Sequence, residues 1–265
     1  MRIALGIEYD GAAYHGWQIQ PHAPTVQQVL EMALSRVADH PVRVQCAGRT
    51  DAGVHATAQV AHFDATTYRS ERSWVLGANV NLPFDVNVCW AAQVPETFHA
   101  RFSATGRHYR YVILNRMTRS ALQRNRAVWE HRPLDAERMH RAAQRLLGRH
   151  DFSSYRAQGC QAKSPVRELR RLQVRRDGER IVLEVSADAF LHHMVRNIAG
   201  VLMAIGRGEQ PETWAREVLE LRDRALGGVT APPEGLYLVG VDYPEEFRLP
   251  KPALVSKDAL RRPGG

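Results

Sequence analysis

Lysine is nearly missing from this 265-residue chain: of 36 basic side chains only Lys163, Lys251 and Lys257 are lysines, and the other 33 are arginines. Cysteine is scarce as well. Cys46, Cys89 and Cys160 are widely spaced and form no C-x-x-C pair, so neither a disulfide framework nor a zinc site is supported. No stretch approaches the roughly 20 apolar residues of a membrane span. The start, Met1 to Asp10, soon meets Glu8 and Asp10 and does not resemble a secretory signal, so a cytoplasmic protein is expected. The patterns H-E-x-x-H, G-x-S-x-G and G-x-G-x-x-G are also missing, which removes zincin, serine-hydrolase and dinucleotide-binding chemistry. Gly48 and Gly53 have the separation of a phosphate-binding loop, but Val54-His55 stands where Lys-Ser/Thr is needed. Neither a metal nor a cofactor is therefore expected.

What is present is an ordinary globular composition, 44% hydrophobic and 24% charged, with a net charge of +8. Guanidinium groups make planar, bidentate phosphate contacts and stack on bases, so the arginine excess suits a polyanion such as RNA. An arginine bias of the genome explains the count equally well.

The pattern along the chain is α+β. Residues 2–9 alternate as a strand, followed by a loop carrying Tyr14, His15, Trp17 and Gln18. Val26, Val29, Leu30, Ala33, Leu34 and Val37 mark a helix, with Thr25 and Gln28 as a capping box. Val42, Val44 and Cys46 alternate as a strand, residues 57–63 supply another, residues 70–80 a second helix with Trp74 and Ala78 inward, and Val86, Val88 and Trp90 a fourth strand. That order, β-α-β-β-α-β, is the ferredoxin-like plan.

A second set follows the same order. His108 to Leu114 is a strand with Tyr109, Tyr111 and Ile113 on one face, and the loop bearing Arg116, Arg119, Arg124 and Arg126 reads as a solvated basic stretch. Asp135 caps a helix with Met139, Ala142, Ala143, Leu146 and Leu147 inward and Gly148 as its stop. Asp177-Gly178 marks a hairpin, Leu191 to Ile205 a strong helix that Gly206 can end, Pro211 to Leu221 a shorter one, and Leu236 to Val241 a last strand. The expectation is two ferredoxin-like (RNP-like) α/β domains with antiparallel sheets, 1–102 and 103–245, then a basic Pro-containing tail, 246–265.

Gly48 to His55 is the polar loop between two of these strands, and Asp51 is its single carboxylate. The side chains of Asp51 and Thr50 could simply bond the turn's own backbone. Alternatively Arg49 holds Asp51 ionised as a nucleophile or base. Local sequence leaves both open. His192-His193 is the nearest approach to a metal pair, but adjacent helical residues point about 100° apart, which favours a structural or RNA-contacting role. His55 and His62 are placed to face one another across strands, and nothing supplies further ligands.

The string Ala47-Gly-Arg-Thr-Asp-Ala-Gly-Val-His-Ala56 resembles the catalytic motif of the tRNA pseudouridine synthase A family. Five more matches follow that family's order: Gly16-Trp-Gln-Ile-Gln20, Arg107-His-Tyr-Arg-Tyr111, Asp151-Phe-Ser-Ser-Tyr-Arg156, Phe190-Leu-His-His-Met-Val-Arg-Asn-Ile198 and Pro233-Glu-Gly-Leu-Tyr237. Together they cover residues 1 to about 245. The resemblance implies the pseudouridine synthase fold, with a central cleft between the domains. It implies isomerisation of uridine at positions 38, 39 and 40 of the tRNA anticodon stem-loop, by a homodimer that needs no cofactor and in which one tRNA spans both subunits. It makes Asp51 the essential acid, Tyr109 the active-site tyrosine, Arg196 the partner of Asp51, and Arg49 an agent of base flipping. Periodicity alone turns Arg196 roughly 140° away from its helix's apolar stripe, toward solvent. Gln18, Trp17, Arg107, Arg110 and Arg156 are the further candidates for RNA contact. Two other readings stand beside it: a catalytically silent RNA-binding protein on the same fold, and a carboxylate-dependent hydrolase of a small acidic substrate. The second leaves the six ordered matches without a cause.

Overall fold

The computed structural model describes residues 1–250. Its first half runs β1 (Arg2–Tyr9), α1 (Val26–Ala38), β2 (Gln45–Cys46), β3 (His55–Asp64), α2 (Glu71–Asn81) and β4 (Val86–Val94). Its second half runs β5 (Gly106–Asn115), β6 (Val128–Glu130), α3 (Ala136–Gln144), β7 (Gly148–Asp151), β8 (Val166–Asp177), β9 (Arg180–Ala187), α4 (Met194–Gly206), α5 (Trp214–Leu221) and β10 (Leu236–Asp242). The periodic segments form their elements, although the strand expected from Val42 is reduced to β2 and α3 ends before Leu146. The added strands β6 and β7 are three and four residues long, too short to show alternation.

The two halves share one mostly antiparallel sheet in the order β4-β1-β3-β10-β5-β9-β8-β7, with β2 beside β3 and β6 beside β5. The expected antiparallel sheets are thus continuous through the middle of the chain. The last strand returns to the middle, antiparallel to β5 and parallel to β3 through Tyr237 and Leu238. Across this junction Ala56, Leu238, Tyr109 and Val185 lie side by side, and all four belong to the main hydrophobic core. That core takes in Leu30 of α1, Trp74 of α2, Met139 of α3 and Ile198 of α4. The β3 and β5 chain ends that carry the polar loop and Tyr109 are thus fixed to one another by β10.

Several local expectations change, each for a reason visible in the hydrogen bonds. Thr25 is at the N-cap of α1, but its side chain caps nothing, and no box with Gln28 forms. The first-turn donors are taken instead by the preceding loop: Val26 N–H donates to Gly16 O at 3.2 Å and Gln27 N–H to Trp17 O at 3.0 Å. Val42 and Val44 are buried yet outside β2, because their N–H groups donate to Ser35 Oγ and Glu31 Oε1 of α1 rather than to a neighbouring strand. Gly148 does not stop α3, which ends at Gln144; it opens β7 with φ of 101°. Asp135 does cap α3, accepting from Arg138 N–H, and Ser70 caps α2.

His55 and His62 do not face each other. They lie seven residues apart on β3, His55 stacked on Tyr237 at 4.6 Å and His62 edge-on to Phe98 at 5.9 Å. The start of the expected tail also packs: the Phe247 ring meets Phe98 at 5.1 Å, and Leu249 joins the same small cluster on the sheet. The rest of that tail, residues 251–265, lies outside the described residues. Arg116 and Arg126 pair with Glu179 and Asp10 at 3.0 and 3.1 Å in the long loop.

Candidate active site

Asp51 stands at the head of a tight turn in which Val54 N–H donates to its carbonyl at 3.1 Å and Gly53 takes φ of 76°. The turn is anchored from below by a buried polar network. Tyr9 Oη and Thr50 Oγ1 are 2.8 Å apart, while Gln59 Nε2 donates to Gly48 O at 2.7 Å. The first loop holds it from the side: Trp17 N–H donates to Thr50 O at 3.0 Å and Gly53 N–H to Tyr14 O at 3.2 Å. Gly16, at φ of 87°, makes this approach possible, since a Cβ there would sit 2.5 Å from Thr50 O.

The partner of Asp51 comes from the other half of the chain. Arg196, in the first turn of α4, donates from Nη1 to Asp51 Oδ2 at 3.2 Å and from Nε to Ala231 O at 2.8 Å. Its own carbonyl accepts from Ala231 N–H, so backbone and side chain are fixed by one residue. The arginine side chain is only 13% exposed and the carboxylate 22%, which strengthens the pair relative to one in open water. Arg196 does leave the apolar stripe, as periodicity requires, but the surface it faces is the cleft.

Two more nitrogens reach the same carboxylate. His192 Nε2 lies 3.2 Å from Asp51 Oδ1 and His193 Nε2 lies 3.3 Å from Oδ2. The argument that helical neighbours diverge does not apply, because α4 begins at Met194 and His193 is a left-handed N-cap with φ of 61°. That twist lays the two rings 4.0 Å apart at 43°. Burial holds the His193 imidazole below its usual range, with the Asp51 charge opposing.

Tyr109 on β5 is 8% exposed and meets the edge of Phe190 at 5.0 Å. Burial, then the negative charge of Asp51, raises its hydroxyl well above the ordinary tyrosine range, so it stays protonated. These groups line one cleft of about 1110 Å³, together with Gln18 and Arg49. Arg49 is exposed at its mouth and makes no hydrogen bond or ion pair with the described residues.

Of the remaining candidates, Trp17 and Arg107 also border the cleft, whereas Arg110 and Arg156 do not. Trp17 is 1% exposed and packs at 6.0 Å from the Tyr9 ring, a core position at the floor of the cleft. Arg107 spends its terminal nitrogens on four backbone carbonyls: Nη1 donates to Ala104 O and Asp188 O, Nη2 to Ala47 O and Arg101 O. It ties the Asp51 loop to the second half of the chain and is a positioning residue. Arg110 alternates to the other face of β5, 3.7 Å from Glu184, and Arg156 ends the short turn after Phe152 without lining the cleft. His192, His193 and Phe190 are the cleft residues that periodicity missed. All three lie in the matched string Phe190 to Ile198, whose first four residues precede the helix.

A sequence model of the family described as tRNA pseudouridine synthase matches residues 6–103 and 142–244. The protein of Methylococcus capsulatus named tRNA pseudouridine synthase A is 61% identical over 254 residues, covering 96% of this chain and 94% of its own. The same name is borne by a Nitrosococcus oceani protein, 61% identical over 95% of this chain and 97% of its own, and by a Cronobacter sakazakii protein, 57% identical over 96% and 94%. With both halves matched and relatives this similar from end to end, the chain belongs to the tRNA pseudouridine synthase family.

Proposed function

We propose that this protein is an isomerase that converts uridine to pseudouridine in tRNA, at positions 38, 39 and 40 of the anticodon stem-loop. The observation that carries the reading is the 3.2 Å contact between Asp51 and Arg196, 145 residues apart in sequence and side by side in a cleft. The reaction breaks the N1–C1′ glycosidic bond and forms a C5–C1′ bond; N1 gains a proton and C5 loses one. It is redox-neutral, so the protein has to supply an ionised carboxylate, proton transfer and a place for the detached base.

Asp51 is the nucleophile or base, aimed by Arg196 and flanked by the two imidazoles. Tyr109, protonated and packed against Phe190, offers a flat wall for the base and a hydroxyl for proton transfer. A uridine in a stem has to leave its stack before either group can reach it. Arg49, exposed and without a partner among the described residues, is the side chain free to enter the gap left behind. Gln18, which lines the same cleft, contacts the RNA.

The wider assignment rests on the family. Two domains, 1–102 and 103–245, would each contribute one wall of the cleft, and two copies of the chain would act as a homodimer on one tRNA in the cytoplasm. Twofold symmetry doubles the +8 charge of the chain around a polyanion. None of the helices among the described residues is long and apolar enough to cross a membrane.

The test is to incubate purified protein with unmodified tRNA transcripts, without added cofactor, and to map pseudouridine by carbodiimide-dependent primer extension. Stops at positions 38 to 40 are expected. Tight tRNA binding with no modification would instead favour a silent RNA-binding protein.

A further inference from the structure

We propose that Asp51, His192 and His193 together form a binding site for a divalent transition-metal ion, Zn²⁺ in the first instance, and that the ion and the uridine exclude each other from the cleft. Each residue offers one ligand atom, and the three atoms lie within 4.8 Å of one another. Ligands about 2.1 Å from a tetrahedral ion are about 3.4 Å apart. The contacts here, 3.2 Å from His192 Nε2 to Asp51 Oδ1 and 3.3 Å from His193 Nε2 to Oδ2, already have that spacing.

The donor set decides which ion. Two imidazoles and one carboxylate suit Zn²⁺, Co²⁺, Ni²⁺ or Cu²⁺, whereas Mg²⁺ and Ca²⁺ prefer oxygen ligands. Both histidines present Nε2, and the left-handed backbone at His193 holds the rings together without a metal.

Charge opposes binding: Arg196 is bonded to Asp51 Oδ2 and Arg49 lines the same cleft. An ion bound at Oδ1 on the His192 side, with His193 Nε2 drawing in from beside Oδ2, leaves Oδ2 to Arg196, and the repulsion weakens the site without closing it. The ion is inhibitory because it occupies the carboxylate that the isomerisation requires. That consequence rests on the proposed function; the binding site itself does not.

The experiment titrates the full-length, metal-free protein with Co²⁺ alone and follows the visible absorption of a low-symmetry cobalt centre. One equivalent should produce the bands, and Zn²⁺ should abolish them. His192→Gln, His193→Gln and Asp51→Asn should each weaken Co²⁺ binding by at least the roughly 10- to 100-fold that loss of an outer-shell partner costs. Arg196→Gln should tighten it several-fold, and His99→Gln, in the other close histidine pair, should change nothing. Circular dichroism checks that each variant is folded. In the pseudouridine assay Zn²⁺ should inhibit and a chelator should restore the rate.

Absence of bands, or bands that survive in all three ligand variants, would overturn the site. Weaker binding in Arg196→Gln would overturn the placement of the ion beside Asp51. A protein that binds Co²⁺ as described yet makes no pseudouridine would overturn the isomerase reading alone.

Discussion

Methionine in place of Arg107 keeps most of the apolar stem while deleting the donors that serve Ala104, Asp188, Ala47 and Arg101. The bond to Ala47 is fully buried and the other three are partly so. A buried acceptor left without a partner costs about 1–3 kcal/mol, and partly wet ones recover much of their loss from water. Burial also pushes the Arg107 guanidinium below its ordinary pKa, so removing the charge returns some desolvation. The net loss expected for Arg107→Met is about 3 kcal/mol, read from urea unfolding followed by tryptophan fluorescence. A second measurement separates a clamp from a phosphate contact. Each phosphate contact contributes about 0.9 to the slope of log K against log salt on a duplex. Arg107→Met should leave the slope for tRNA binding unchanged. Stability within about 1 kcal/mol of wild type, together with a slope reduced by nearly one, would refute the clamp.

Three further substitutions test other parts of the account. Trp17→Ala should cost about 3–5 kcal/mol by emptying a core position while tRNA affinity per folded molecule stays put; a large affinity loss with little loss of stability would restore Trp17 as an RNA contact. Gly16→Ala should lose about 1–2 kcal/mol for the left-handed backbone alone and should lower turnover further by pressing on Thr50 and Asp51; wild-type turnover would show that this contact positions nothing. Burial lowers the pKa of His62 from 6.5 to about 4 while its Nδ1 accepts Ala100 N–H, so the unfolded chain binds the extra proton first. Its contribution is complete above pH 6.5 and declines as pH falls toward 4. His62→Gln should flatten stability against pH across that window, and an unchanged slope in urea denaturation would refute the assignment.

The elements of the fold were legible because apolar periodicity is a local property: Leu30, Trp74, Met139 and Ile198 are all buried where their spacing placed them. The joining of the halves was not, because nothing local in Leu236 to Val241 says that β10 will sit between β3 and β5. The site divides the same way. Asp51 stood out as the lone acid of its loop, but Arg196 reads as solvent-facing until α4 is set against that loop. His192 and His193 were misoriented by treating them as helical, when the helix starts one residue later. Arginine chemistry was the least legible, since Arg49, Arg107 and Arg110 share one charge but go to a cleft mouth, a set of backbone carbonyls and the far face of β5.

The central claim is that Asp51 acts chemically, as an ionised group positioned by Arg196. Single-turnover conversion of a tRNA transcript by Asp51→Asn, with binding measured on the same sample, tests it most directly. Asparagine nearly preserves the shape of the side chain and can still accept from Arg196, but it lacks the charge and the nucleophile. Binding close to wild type with no pseudouridine is the predicted result; product formed at the wild-type rate would contradict the account.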